Sequence, residues 1–155
     1  IGTRLVSVVG GSVASPHEYS VAMELGRLLA GSGFTVVCGG GSGVMEAVCR
    51  GASEAGGETL GILPGSSRDD CNQWVGIPVV TGMGSSRNRI VALTGRAMIA
   101  VGGKYGTLSE IAFALDAGRP VCVIGRWDGI EGVESVSGPE DALEFILTRT
   151  GESDA

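Results

Sequence analysis

The sequence predicts an α/β fold in a single domain spanning 1–150: a mainly parallel sheet with helices on both faces. Two observations carry this. Short, continuous apolar runs alternate with amphipathic helical segments, the pattern of strands buried on both sides. Three of those runs end in glycine-rich turns, at 10–12, 39–43 and 102–106. A doubly wound, Rossmann-like sheet would gather such turns along the carboxyl edge of its strands, where ligands bind. Composition agrees. A chain of 155 residues suits one core, and 43% hydrophobic with 18% charged side chains excludes a disordered polymer. The 28 glycines then belong to a folded chain rich in tight turns.

The elements follow in order. Arg4 to Val9 reads as a buried strand. Ser15-Pro16-His17-Glu18 opens a helix with a serine N-cap, a proline in the first turn and a Glu three residues after the cap. Val21, Leu25, Leu28 and Leu29 keep helical spacing until Gly31-Ser32-Gly33 stops it. Phe34 to Cys38 is the second strand, and a helix runs from the next glycine turn to about Ala55. Thr59 to Leu63 is the third strand. Residues 64–76 are polar and turn-rich, and Ile77-Pro78-Val79-Val80 fits only a sheet edge because of its proline. A helix over Ser85 to Gly95, a strand over Ala97 to Val101 and a helix from Thr107 to about Ala117 come next. Val121 to Ile124 is a strand and Glu140 to Arg149 a terminal helix, followed by a frayed end from about Thr150.

Several function classes are excluded. No apolar run approaches the ~20 residues of a membrane-spanning helix. Cys38, Cys49, Cys71 and Cys122 form no CxxC pair, and with His17 as the one histidine no structural metal set arises. The first residues carry no signal-peptide pattern, and the cysteine usage predicts a reducing, cytoplasmic setting. The net charge of −6 argues against binding nucleic acid or anionic membrane. The charge is uneven: Asp128 to the end carries −7, whereas Asp69 to Trp127 carries +2. A locally basic middle suits a small anionic ligand, and equally an unevenly charged surface. Walker A, GxGxxG and GxSxG patterns are all missing.

Two turns carry the chemistry. Gly39-Gly40-Gly41-Ser42-Gly43 leads into a helix and reads as a backbone cradle for phosphate or sugar, or as a tight strand–helix connection. Gly102-Gly103-Lys104-Tyr105-Gly106-Thr107 would offer N–H groups and a hydroxyl at a helix start, which suits a 5′-phosphate. Thr107-x-x-Glu110 also has the form of a capping box, which alone would account for both residues. Arg87 and Arg89 lie two apart, so at most one faces the crevice. The candidate ligand contacts are therefore Gly11 and Ser12 of the first turn, Gly40, Gly41, Ser42 and Gly43 of the second, and Gly103, Tyr105, Gly106 and Thr107 of the third.

At these residues the chain resembles the LOG (lonely guy) family and its wider superfamily, once labelled lysine decarboxylases. The matching features are Gly39-Gly40-Gly41, Arg87 opening a helix, and Gly102 through Glu110. The nearest resemblance is to a sub-branch that includes molybdenum-cofactor carrier proteins, on Gly43 to Ala52, Gly61 to Gly65, Arg87-Asn88 and Gly106 to Ile111. The chain departs from the LOG pattern at Gly84-Ser85-Ser86, at Gly102-Gly103-Lys104 and at Ser109. The resemblance implies that Arg87 and Glu110 are a catalytic pair. It also implies a nucleoside 5′-monophosphate-like ligand, a homo-oligomer (dimer or tetramer), and no cofactor or metal. The function implied is hydrolysis of the N-glycosidic bond to free base and ribose 5-phosphate; the alternative is a non-catalytic carrier of a phosphorylated ligand such as molybdenum cofactor. A pyridoxal-phosphate lysine decarboxylase is excluded on chemistry: it needs a Schiff-base Lys, and Lys104, the one lysine, sits in a glycine-rich loop.

Overall fold

A computed structural model describes residues 4–151. Seven strands form one parallel sheet: β1 (Leu5–Gly10), β2 (Thr35–Cys38), β3 (Thr59–Leu63), β4 (Ile77–Val80), β5 (Met98–Val101), β6 (Val121–Ile124) and β7 (Val133–Ser135). Their spatial order is β4-β3-β2-β1-β5-β6-β7. The chain builds outward from β1 in one direction, then crosses back to add β5 beside β1. That reversal puts the switch point between β1 and β5, where the crevice of a doubly wound sheet opens.

The helices are α1 (Pro16–Gly31), α2 (Val44–Glu54), α3 (Arg87–Thr94), α4 (Tyr105–Asp116) and α5 (Pro139–Thr150). Strand alternation splits the core in two. Val6 and Val8 pack with Leu25 and Leu29 of α1, Val48 of α2 and Ile146 of α5. Val9 and Val37 pack on the other face with Val91 of α3 and Ile111 of α4. Ser7, wholly buried, is held where it is by two bonds: its hydroxyl donates to the Val91 carbonyl (2.6 Å) and accepts from Gly95 N–H (3.1 Å).

The start of α1 is the expected capping box, with Glu18 N–H donating to Ser15 Oγ (3.1 Å) and Ser15 N–H to Glu18 Oε1 (2.9 Å). The proline strand β4 lies at the sheet edge, as its missing donor requires. Four expectations need correction. Strand β7 had no sequence signal, because only three residues pair and two of them are exposed. The segment before α3 is a 3-10 turn at Gly84–Ser86, so α3 itself starts at Arg87. Helix α5 runs through Thr150 and closes on Gly151 in the left-handed conformation, so fraying does not begin at Thr150; residues 152–155 lie outside the described residues. Helix α4 starts at Tyr105, two residues early, with consequences for the site.

Among the described residues no helix is long and apolar enough to cross a membrane. Cys38, Cys49 and Cys122 are buried and unbridged, as small hydrophobes would be.

Candidate functional site

A cavity of about 480 Å³ opens over the β1/β5 switch point. Its floor is the first turn, Gly10 to Val13, and the third, Gly102 to Lys104. Helix α4 points its N-terminus into it. The first N–H to bond within that helix is Leu108, to the Lys104 carbonyl (2.9 Å). The N–H groups of Tyr105, Gly106 and Thr107 have no partner among the described residues. Beyond its own helix and among the described residues, a Cβ at Gly106 would meet only Asn88 Nδ2, at 3.8 Å, so this position is open to a ligand.

The early start of α4 overturns the capping-box reading. Lys104, not Thr107, is the N-cap, and no side chain caps the helix. Glu110 therefore sits one turn into α4 with no capping duty. It is 7% exposed and lines the cavity, and no hydrogen bond among the described residues reaches its carboxyl. Burial is the main cause that pushes its pKa up, from 4.5 to about 8; the nearby Arg87 guanidinium opposes the shift.

Arg87 reaches the same cavity from α3. Its guanidinium donates to Asn88 Oδ1 through Nη1 and to the Gly39 carbonyl through Nη2 (3.5 Å), while Nε is buried with no partner among the described residues. A Cβ at Gly39 would lie 2.7 Å from Nη2, so this glycine makes room for the guanidinium. Asn88, 6% exposed, donates onward to Ser109 Oγ (3.1 Å), whose hydroxyl donates to the Gly106 carbonyl (2.6 Å). Arg87, Asn88, Ser109 and Gly106 thus form one chain linking α3 to the start of α4. Arg89 faces away and stacks over Phe113 (5.5 Å), as their spacing required.

Of the candidate contacts, Gly11, Ser12, Gly103, Gly106 and Thr107 line the cavity together with Arg87 and Glu110. Gly40, Gly41, Ser42, Gly43 and Tyr105 are not in its wall. The second turn instead braces the first: Ser42 Oγ donates to the Ser12 carbonyl (2.7 Å) and Val44 N–H to the Gly11 carbonyl (3.0 Å). Its outer side is held by Asn72, whose Nδ2 donates to the Gly41 carbonyl (2.8 Å). Tyr105 is 84% exposed. Residues missed from sequence are Glu18, Met45, Asn88 and Arg126 of the lining, and Trp127 behind it. Trp127, at φ 73, donates Nε1–H to the Gly102 carbonyl (2.8 Å), and Arg126 Nη1 donates to the Gly103 carbonyl (2.7 Å). A tryptophan in the left-handed region is the one non-glycine so placed among the described residues, and a sequence carries no sign of it.

Gly103 has φ 94, and a Cβ there would overlap the Thr107 side chain, 2.5 Å from Thr107 Cβ. Gly103→Ala is expected to cost about 2–4 kcal/mol, combining the left-handed penalty with the clash, and to weaken phosphate affinity. Urea melts and phosphate titration would check both.

The family model described as the SLOG cluster4 family matches residues 3–149. An uncharacterized protein of Archaeoglobus fulgidus is 38% identical over 143 residues, 92% of this chain and 94% of its own. A cytokinin riboside 5′-monophosphate phosphoribohydrolase of Mycobacterium tuberculosis is 30% identical over 124 residues, 74% of this chain and 66% of that protein. Among solved structures, the molybdenum cofactor binding protein of the phototrophic bacterium Rippkaea orientalis superposes with a TM-score of 0.92 at 34% identity. That match covers 97% of this chain and 99% of the other.

Proposed function

The chain belongs to the SLOG cluster4 family, within the LOG-like superfamily, and from that premise we propose that it binds a nucleoside 5′-monophosphate-like ligand and hydrolyses its N-glycosidic bond. The phosphate sits on the free N–H groups and hydroxyl at the start of α4, Tyr105 to Thr107, against the Gly11-Ser12 turn. Negative charge is favoured there by the helix dipole, with Lys104 and Arg126 adding positive charge around the cavity.

The observation that carries the reading is Glu110: a buried carboxyl, free of structural hydrogen bonds, beside a guanidinium in the one cavity that also offers a phosphate seat. A group so costly to bury and so little used by the fold marks a reacting centre. With its pKa near 8, Glu110 holds a proton at neutral pH. It donates that proton to the ring nitrogen of the departing base as the C1′–N bond breaks. The positive charge left on the sugar ring is met by water, which adds at C1′, gives a proton back to the Glu110 carboxylate, and yields ribose 5-phosphate and free base. Arg87, whose charge lies near the carboxyl without bonding to it, balances the anionic ligand.

A second reading, a non-catalytic carrier of a phosphorylated ligand, is favoured by one observation: the near full-length likeness to a molybdenum cofactor binding protein. Both readings use the same phosphate seat. Chromatography of free bases released from a panel of nucleoside 5′-monophosphates separates them. Release well above the uncatalysed rate supports hydrolysis. Tight binding with no release supports the carrier. We also propose a homo-oligomer, to which the exposed apolar side chains of edge strand β4 and its flank, Ile77, Val79, Val80 and Met83, are suited.

A further inference from the structure

Glu18 is a second carboxylate in the cavity, and it enters from the opposite side. It rides on α1, which packs on one face of the sheet, whereas Glu110 rides on α4 on the other. Its Oε1 accepts from Ser15 N–H in the capping box. Its Oε2 takes no hydrogen bond and no ion pair among the described residues, although Lys104 and Arg126 line the same cavity. Gly102 leaves the space that Oε2 occupies: a Cβ at Gly102 would overlap that oxygen. The third turn is thus shaped to admit a carboxylate on one side, at Gly102, and the Thr107 side chain on the other, at Gly103.

A capping box needs only one oxygen of its Glu, and a Gln serves equally. The free oxygen is a hydrogen-bond acceptor left open in a cavity built for an anion. It repels phosphate, so what it meets is a neutral donor elsewhere on the ligand. Its position says which. Adjacent Cα atoms lie about 3.8 Å apart, so Glu18 Oε2 and Thr107 Oγ1 are at most about 11 Å from each other. The sugar of a pentose 5-phosphate whose phosphate is held at Thr107 can bridge a span of that size.

We propose that Glu18 is a specificity-determining residue whose free carboxylate oxygen accepts hydrogen bonds from the sugar hydroxyls of a pentose 5-phosphate moiety seated on α4. The inference rests on the phosphate seat proposed above. It assigns α1, through its cap, to the selection of ribose over deoxyribose. A second phosphate on those hydroxyls would be rejected by the same charge.

The test is calorimetric titration with inorganic phosphate, ribose 5-phosphate and 2-deoxyribose 5-phosphate, for wild type beside Glu18→Gln. Gln preserves the capping box, and thermal melts of the two should superimpose. Wild type is expected to prefer the ribose compound by about tenfold, the worth of one hydrogen bond to a charged acceptor. Glu18→Gln is expected to cut that preference to about twofold while phosphate binds no more weakly than to wild type, since a repelling charge is removed. An undiminished preference in the variant overturns the role of Glu18 and leaves the phosphate seat standing. If none of the three compounds binds wild type, the phosphate seat itself falls.

Discussion

Glu110→Gln is expected to lower base release by about 10²–10⁴-fold, the usual worth of a positioned proton donor, and at the same time to stabilise the fold above pH 7. The two effects have one cause. The Glu110 carboxyl moves from 4.5 in the unfolded chain to about 8 in the fold, chiefly because burial penalises its charged form. Its contribution to stability is therefore fully present below pH 4.5. It is lost progressively as pH rises towards 8, since over that range the folded state holds a proton that the unfolded state has released. At about 1.36 kcal/mol per unit the whole loss has an upper bound of about 5 kcal/mol. A neutral amide of the same shape does not titrate. Melting temperatures of variant and wild type should coincide near pH 4, diverge through neutrality in the variant's favour, and run parallel above pH 8. A difference that stays constant from pH 4 to pH 9 would contradict the raised carboxyl. The wild-type rate should also fall above pH 8, as the acid form disappears.

On the proposed function this is a trade of stability for reactivity, common at active sites, and it bears on what a sequence can reveal. The local signals were legible. Ser15, Pro16 and Glu18 marked the start of α1 because capping chemistry acts within one turn. The apolar runs and their glycine turns marked the parallel sheet and its crevice. The misreadings came where tertiary contacts decide. Thr107-x-x-Glu110 has the spacing of a cap, yet Gly102 and Gly103, both at positive φ, bend the chain so that the helix begins at Tyr105. The turn after β2 carries a duty that composition does not show: its Val44 N–H and Ser42 hydroxyl bond to the turn after β1. Arg87 and Glu110 were named through family resemblance. The sequence marks Asn88 by the same resemblance and Glu18 by its cap, but the link that Asn88 makes between the helices and the place of Glu18 in the cavity exist only across the folded crevice.

Gly51→Ala is expected to destabilise the protein by about 2–4 kcal/mol, although alanine is the better helix former by about 1 kcal/mol. Gly51 lies inside α2, where a sequence reading finds only a mild blemish. In the fold, α1 and α2 cross with their backbones almost touching, and each contributes a glycine. A Cβ at Gly51 would overlap the Met23 carbonyl oxygen and stand 3.1 Å from Arg27 N; one at Gly26 would overlap the Val48 carbonyl oxygen and stand 2.9 Å from Ala52 N. These obstacles are main-chain atoms of a packed helix, so relief requires the two helices to separate. Separation would open the core around Leu25, Leu29 and Val48, and that cost outweighs the propensity gain. For a chain of this size the melting temperature should drop by roughly 5–15 °C. Gly31→Ala supplies the control: it ends α1 with nothing within 4 Å of its Cβ position, and should be neutral or stabilising by up to about 1 kcal/mol. The crossing also reaches the site. It sets α1 against α2, and with them Glu18 against the turn that Ser42 and Val44 brace. Ligand affinity in Gly51→Ala should therefore fall at temperatures where the protein is still folded, whereas Gly31→Ala should bind as wild type does.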